Sequence, residues 1–364
     1  MSRRVYVHVG APKTGTTYLQ DRLYLNRVSL AEHQIAYPVG LKDHMFEPAL
    51  DLVDRQWGGM REEVRGQWDA LVRRVKRSTG TVVISHEVLA AARPEHVERA
   101  MRDLGDFEVH VVYTARDLAR QLPAEWQEQI KHNGRATFRR YLRRTRKAKQ
   151  TNPTRWFWRV QGLPDVLTRW GRDLPPEHVH LITVPQPGAP RETLWLRFCQ
   201  VVGIDPAWAP AESERRNPSL GGAETTLLRR LNAMLLEEDF AGEDYRHLVR
   251  EVVAHRTLAR RSEMTRVTLP PDEYDWAEEV AESWIEWVEG ARIDVVGDLD
   301  ELRPRRPEPG VPWDNPDKPR PREVADAALD ALVAVVLEAS RRPNPDAQLR
   351  ARVIKAVRRA RGGV

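Results

Sequence analysis

The sequence predicts an α/β fold, a central parallel β-sheet flanked by helices on both faces, and three observations carry that prediction. Four short runs rich in β-branched residues fall at 4–9 (RVYVHV), 81–85 (TVVIS), 107–114 (FEVHVVYT) and 178–184 (HVHLITV), each closed by a polar or Gly/Pro segment. Helical patterns lie between them, and strands that alternate with helices build parallel sheets covered on both faces. Past the last run the pattern is helical alone, so the C-terminal part is expected to be largely helical.

In chain order, helical periodicity is read near 17–27, 60–78, 94–104, 117–133, 135–149 and 155–170, then at 191–202, 222–237, 244–262 and 275–291. Residues 303–322 (RPRRPEPGVPWDNPDKPRPR) are too rich in proline to continue a helix and read as a linker. The expected organisation is therefore an α/β domain over 1–302, the linker, and a short helical tail over 323–364. Two helices, at 323–341 and 345–361, are expected in that tail, the second of them basic. Docking on the body or on a second copy of the chain, giving a homo-oligomer, is the use expected for them. No internal repeat is visible.

Composition narrows the function. With 364 residues, 41% of them apolar, the chain can bury a full-sized core. Its one cysteine, Cys199, excludes an internal disulfide framework and a cysteine-rich zinc site, and the surrounding LWLRFCQVVG gives it a packing role. No stretch of about 20 uncharged apolar residues occurs and no secretory signal is read at the start, so a cytoplasmic protein without a transmembrane segment is expected. The net charge is +5, and only eight of the 58 basic residues are lysines. That balance suits an anionic cofactor or acceptor without implying nucleic acid.

The most informative stretch is VHVGAPKTGTTYLQDRL, residues 7–23. A strand ends, a loop containing Gly10 and Gly15 turns, and a helix opens at Thr16 or Thr17. Glycines let a backbone curl with its N–H groups inward, and the helix adds its positive N-terminal end, so an anion fits there. Thr14, Thr16 and Thr17 offer hydroxyls and Lys13 a positive charge. The nucleoside-triphosphatase loop needs Gly, four residues and then Gly-Lys-Ser/Thr. Gly10 and Gly15 have that spacing, but Thr16 stands where the lysine belongs, and the lysine sits inside the loop at position 13.

PKTGTT after a first strand resembles the 5′-phosphosulfate loop of sulfotransferases that use 3′-phosphoadenosine 5′-phosphosulfate (PAPS), in the bacterial and glycan-type branch. The resemblance spans roughly residues 4–235. It implies a P-loop-like sulfotransferase fold, PAPS as donor, adenosine 3′,5′-bisphosphate (PAP) as product, no metal, and a small-molecule or glycan acceptor. It further implies that Pro12, Lys13, Thr14, Gly15, Thr16 and Thr17 hold the 5′-phosphosulfate, with Lys13 on the bridging oxygen. Arg116, just after the strand at 107–114, matches the family's 3′-phosphate arginine. The family serine eight residues on is replaced by Ala124, and Arg120, Gln121 or Gln127 is left to stand in for it. At the end of TVVIS, Ser85, His86 and Glu87 reach the same sheet edge. There the family keeps the base that takes the acceptor's proton; Glu87 is the first candidate and His86 the second. HEVLA is not a zinc-protease motif, because Ala90 occupies the second histidine's place. A late basic loop closes over the nucleotide in relatives, and Arg215, Arg216, Asn217 and Ser219 are its counterparts; a helix cap by Ser219 or an Asn-Pro turn explains them equally well.

Three other readings stay open. A kinase or NTPase is disfavoured by the displaced lysine. A nucleotide-binding protein without catalysis is made conceivable by Ala124. A nucleic-acid module rests on RATFRRYLRRTRKAK (135–149), which holds only Phe138 and Tyr141 as stacking groups and reads more simply as a solvated helix face. The tryptophans, Trp156, Trp158 and Trp170 among them, read as core first and as a sugar-binding or aromatic site second.

Overall fold

The protein is described here by a computed structural model covering residues 3–39, 45–54, 62–214, 219–238, 240 and 242–341. It divides into two compact units. The first comprises Met1–Gln129, Ala136–Ser219 and Val267–Asn315, and it holds the sheet. The second comprises Ile130–Arg135, Leu220–Arg266 and the chain from Pro316 onward.

The sheet has six strands, all parallel: β1 (Arg4–Gly10), β2 (Ile35–Ala36), β3 (Thr81–Ser85), β4 (Glu108–Ala115), β5 (Val179–Thr183) and β6 (Asp294–Val296), in the spatial order β2-β3-β1-β4-β5-β6. The four strands read from the sequence are its middle. Both faces of β1, β4 and β5 are buried, which is why they appear as unbroken apolar runs rather than alternating ones. The edge strands β2 and β6, of two and three residues, are new. They are too short to show a period and exist only by pairing with β3 and β5.

Helices flank the sheet in the first unit: α1 (Thr16–Leu25), α2 (Arg27–Glu32), α3 (Phe46–Leu52), α4 (Gln67–Lys76), α5 (Pro94–Asp103), α6 (Leu118–Lys131), α7 (Phe138–Thr151), α8 (Trp156–Gln161), α9 (Leu163–Gly171) and α10 (Thr193–Val202). The single helix expected over 155–170 breaks at Gly162, where a side chain would strike the Trp158 carbonyl at 2.5 Å. Pro164 then takes the early position in α9 at which its missing N–H costs nothing. The helix expected to run through 27 ends at Asn26, whose amide exchanges hydrogen bonds with both backbone groups of Ala211. Cys199 is buried, and burial pushes its thiol up to about 12, as a packing role requires. On α7, Phe138, Tyr141, Leu142, Thr145 and Ala148 face inward, so the two aromatics are core and the basic side chains form the outer face.

In the second unit, α11 (Gly222–Glu237) is followed by α12 (Gly242–Asp244), which opens into a π-helical stretch at Tyr245–Thr257. The plain α-helix expected over 244–262 thus has wider turns. α13 (Tyr274–Ala291) returns to the first unit, where Arg303 and Arg306 of the proline-rich segment pair with Glu282, Glu278 and Asp275 along it. α14 (Pro321–Arg341), in the second unit, exposes Leu329, Leu332, Val333, Val336 and Leu337 along one helical stripe. The helix expected over 345–361 lies outside the described residues. Among the described residues no helix is long and apolar enough to cross a membrane.

Candidate functional site

From β1 the chain builds one flank of the sheet through β2 and β3, then crosses to β4 on the other side. The carboxyl ends of β1 and β4 therefore open a crevice where the direction of winding reverses, the usual ligand position in such sheets. The loop read from the sequence begins there. The register of β1 against β4 shifts between His8 and Gly10, so the strand bulges just before the loop.

The loop is held open by its own backbone. Gly10, Lys13 and Gly15 have φ of 116°, 65° and 93°, so the chain takes left-handed turns at three places in this short stretch and curls. A side chain at Gly15 would meet Leu194 Cδ2 at 2.5 Å, so glycine is required there twice over. The Gly15 carbonyl accepts from the amides of Tyr18 and Leu19, which starts α1. The first amides of α1 have no acceptor within the helix and lie at its positive end.

Beneath the loop runs a buried polar chain. Thr14, almost wholly buried, donates to the Ala11 carbonyl (2.5 Å) and shares a hydrogen bond with Thr114 Oγ1 (2.5 Å), which in turn reaches the Gly10 carbonyl (3.0 Å). His8 continues the chain to Ser85 Oγ (2.7 Å) and Thr114 Oγ1 (3.3 Å), and its burial lowers the imidazole to about 4, so the ring is neutral. The Thr14 hydroxyl thus shapes the loop from inside. Of the two helix-opening threonines, Thr16 is buried and hydrogen-bonds Glu87, while Thr17 is half-buried.

Two struts tie the loop to other elements through the Pro12 carbonyl, which accepts from Gln121 Nε2 (2.5 Å) and Gln161 Nε2 (2.9 Å). Gln121 Oε1 in turn accepts from Arg116 Nε (2.9 Å), and Arg116 also donates to the Arg120 carbonyl (2.8 Å). One glutamine side chain therefore joins Arg116 to the loop. Asp117 caps α6 by accepting from the Arg120 amide, and it pairs with the Arg120 guanidinium. Arg120 also donates to the Pro185 and Val184 carbonyls, which places it in the α6–β5 framework. Ala124 is half-buried on α6 and Gln127 is buried.

Lys13 pairs with Glu128 of α6 at 2.6 Å. Glu125, one turn earlier and 2% exposed, hydrogen-bonds Gln161 (3.2 Å) and Trp156. Burial pushes the Glu125 carboxyl up to about 7, against the opposing pull of Lys13. Glu125, Glu128 and Gln161 were not singled out from the sequence, and Trp156 was read there only as core or as part of a sugar-binding or aromatic site. The available signal was a polar stripe at Gln121, Glu125 and Glu128, the i, i+4, i+7 spacing of one helix face. Trp158 and Trp170 are core, their indoles donating to the Thr145 and Leu89 carbonyls.

At the end of β3, Glu87 and His86 arrive beside the loop, with Gly10 in close approach to the Glu87 backbone. Gln20 Nε2 donates to Glu87 Oε2 at 3.2 Å. Burial alone would raise the Glu87 carboxyl, but His86 when charged, a backbone amide, Gln20 and Thr16 outweigh it and hold Glu87 below the usual carboxylate range. The Val88 amide donates to His86 Nδ1 (3.2 Å), so in the neutral ring the hydrogen sits on Nε2 and the Nδ1 lone pair is already engaged. Of the late basic loop, Ser219 is exposed, and Arg215, Arg216 and Asn217 lie outside the described residues. A separate groove of about 280 Å³, lined by Lys149, Pro153, Trp158, Pro164, Asp165 and Trp284 among others, shares none of the loop residues.

Searches against protein-family models, curated proteins and solved structures return no match for this chain.

Proposed function

We propose that this protein is a sulfotransferase that moves a sulfuryl group from PAPS to a hydroxyl or amine acceptor. The observation that carries the reading is the Pro12–Gln121–Arg116 connection. Two segments some hundred residues apart, each matching a different phosphate contact of one donor, are joined by a single side chain. The curled loop, the α1 N-terminus and Lys13 suit the 5′-phosphosulfate, and Arg116 suits the 3′-phosphate.

In the proposed reaction the acceptor oxygen or nitrogen forms a bond to sulfur while the bond from sulfur to the bridging oxygen breaks in line. PAP leaves with the bonding pair, and the acceptor's proton passes to Glu87, a carboxylate in the resting site. Lys13 stabilises the negative charge that grows on the bridging oxygen, which in a dry crevice is the largest catalytic contribution expected of the chain. In the resting protein Glu128 holds Lys13, and the arriving donor takes its place. Glu87 is preferred to His86 as the base because the Val88 amide occupies the lone pair of the His86 ring.

The test is calorimetric binding of PAP, with 5′-AMP and ATP as competitors, to the native chain and to Lys13→Ala and Arg116→Ala. Binding that needs the 3′-phosphate and weakens at least tenfold in each variant is expected. A preference for ATP with magnesium, or no PAP binding, refutes the proposal.

A further inference from the structure

At the opposite edge of the sheet, where β4, β5 and β6 begin, lies a second cluster of ionisable groups that the proposed reaction does not use. Glu108 and His110 stand on β4, His178 in the turn before β5, His180 on β5 and Asp294 at the start of β6. His110 and His180 are buried, and Tyr6 of β1 stacks on His110 at 4.6 Å, fixing its ring plane.

Hydrogen counting shows what the cluster lacks. Asp294 Oδ2 lies 2.6 Å from His180 Nδ1, His180 Nε2 lies 2.9 Å from His110 Nδ1, and His110 Nε2 lies 3.0 Å from Glu108 Oε1. These are three contacts in series with a carboxylate at each end. Each needs one hydrogen, and two neutral imidazoles supply two. The row is complete only with one further positive charge, either a proton or a metal ion.

We infer that Glu108, His110 and His178 form a binding site for one divalent transition-metal ion of the zinc class. The ligand atoms of these three residues lie within 4.8 Å of one another, and His178 Nε2 is already 4.0 Å from Glu108 Oε1. Bonds of about 2.1 Å in a tetrahedron put ligand atoms about 3.4 Å apart, so the half-buried His178 has to turn inward from the present spacing for the ion to be held. Water fills the fourth position. With the ion on His110 Nε2, the hydrogens fall into one order: His110 Nδ1–H donates to His180 Nε2, and His180 Nδ1–H donates to Asp294. That is the outer shell that orients a metal-bound imidazole. Two imidazoles and one carboxylate favour Zn²⁺ and its neighbours over Mg²⁺ or Ca²⁺. Arg4 Nε now donates to Glu108 Oε1 at 3.1 Å, and its half-exposed side chain withdraws as the ion arrives. The site is at the amino ends of the strands, away from the loop edge, so its role is to clamp β4 to β5 and β6.

The test titrates Zn²⁺ by calorimetry into the full chain without an affinity tag, with Co²⁺ followed by its visible absorption. One Zn²⁺ per chain, intense four-coordinate Co²⁺ bands and a raised melting temperature are expected. His178→Ala and Glu108→Gln each weaken binding tenfold or more, and Asp294→Asn about tenfold through the outer shell. His178 is outside the sheet, so its variant leaves the core intact. Absence of stoichiometric binding, or an affinity unchanged in His178→Ala or in Glu108→Gln, overturns the metal and leaves a proton as the third positive charge.

Discussion

Replacing Glu125 by glutamine should stabilise the protein, and only above acidic pH. The carboxyl is buried on α6 and pushed up to about 7 from an ordinary value of 4.5. The folded chain therefore holds this proton more tightly than the unfolded chain. Stability from this group is greatest below pH 4.5, falls as pH rises toward 7, and is level beyond. A difference of about two and a half pH units in proton affinity corresponds to roughly 3 kcal/mol. Glutamine keeps the size and an acceptor for Gln161 and Trp156 but cannot ionise. Urea unfolding of Glu125→Gln and the native chain should give equal stabilities near pH 4 and a gap opening to about 3 kcal/mol in favour of the variant by pH 8. All other titrating groups are common to both proteins, so the gap isolates this carboxyl. Lys13 opposes the rise, and Lys13→Ala should move the native transition to higher pH. Parallel pH curves, or a variant less stable than the native chain at pH 8, would refute the reasoning.

Gly15→Ala meets two penalties: a left-handed backbone, about 1–2 kcal/mol, and overlap with Leu194, about 1–3 kcal/mol. Chemical denaturation should show a loss of roughly 2–5 kcal/mol, and Gly15→Ala with Leu194→Ala should cost less than the two changes summed; a change within about 0.5 kcal/mol for the single variant counts against the loop geometry. Glu87→Gln should lower turnover with labelled donor by about 10²- to 10⁴-fold while leaving PAP affinity near native. His86→Ala should lose less than tenfold, and the reverse ranking would make the histidine the base.

What was legible in the sequence was what neighbouring residues decide among themselves. β1, β3, β4 and β5 are runs of β-branched residues long enough to be seen, and the loop from Gly10 to Thr17 carries its own conformational demands. β2 and β6 are hidden because two or three residues become a strand only against a partner already in place. The break at Gly162 was written as Gly-Leu-Pro, yet the apolar spacing from Trp158 to Trp170 continues across it and masks the stop. At the site, Arg116 could be proposed because it follows a strand. The polar stripe of α6 was visible, but its direction depends on how α6 packs beside the loop. Gln161 and Trp156 come from α8, which no local signal connects to Lys13. The histidine cluster is assembled by register between adjacent strands, Glu108 and His110 on β4 meeting His178 and His180 from much further along the chain, so spacing in the sequence could not reveal it.

The struts beneath the loop from Gly10 to Thr17 also set a timetable for making the protein. The loop leaves the ribosome long before the groups that shape it: Thr114 follows Gly10 by 104 residues, and Gln161 follows Pro12 by 149. At about 5–20 residues per second, the segment from Val7 to Thr17 waits on the order of ten seconds or more for its last strut. Until β3 emerges, some seventy residues after β1, the strand has no sheet neighbour, and its apolar side chains are without a sheet. Nascent chains halted before residue 114 should therefore be bound by chaperones that hold extended apolar segments, and release should follow emergence of α8. The part of the chain that most resembles a finished binding motif on paper waits for residues far downstream to give it its shape.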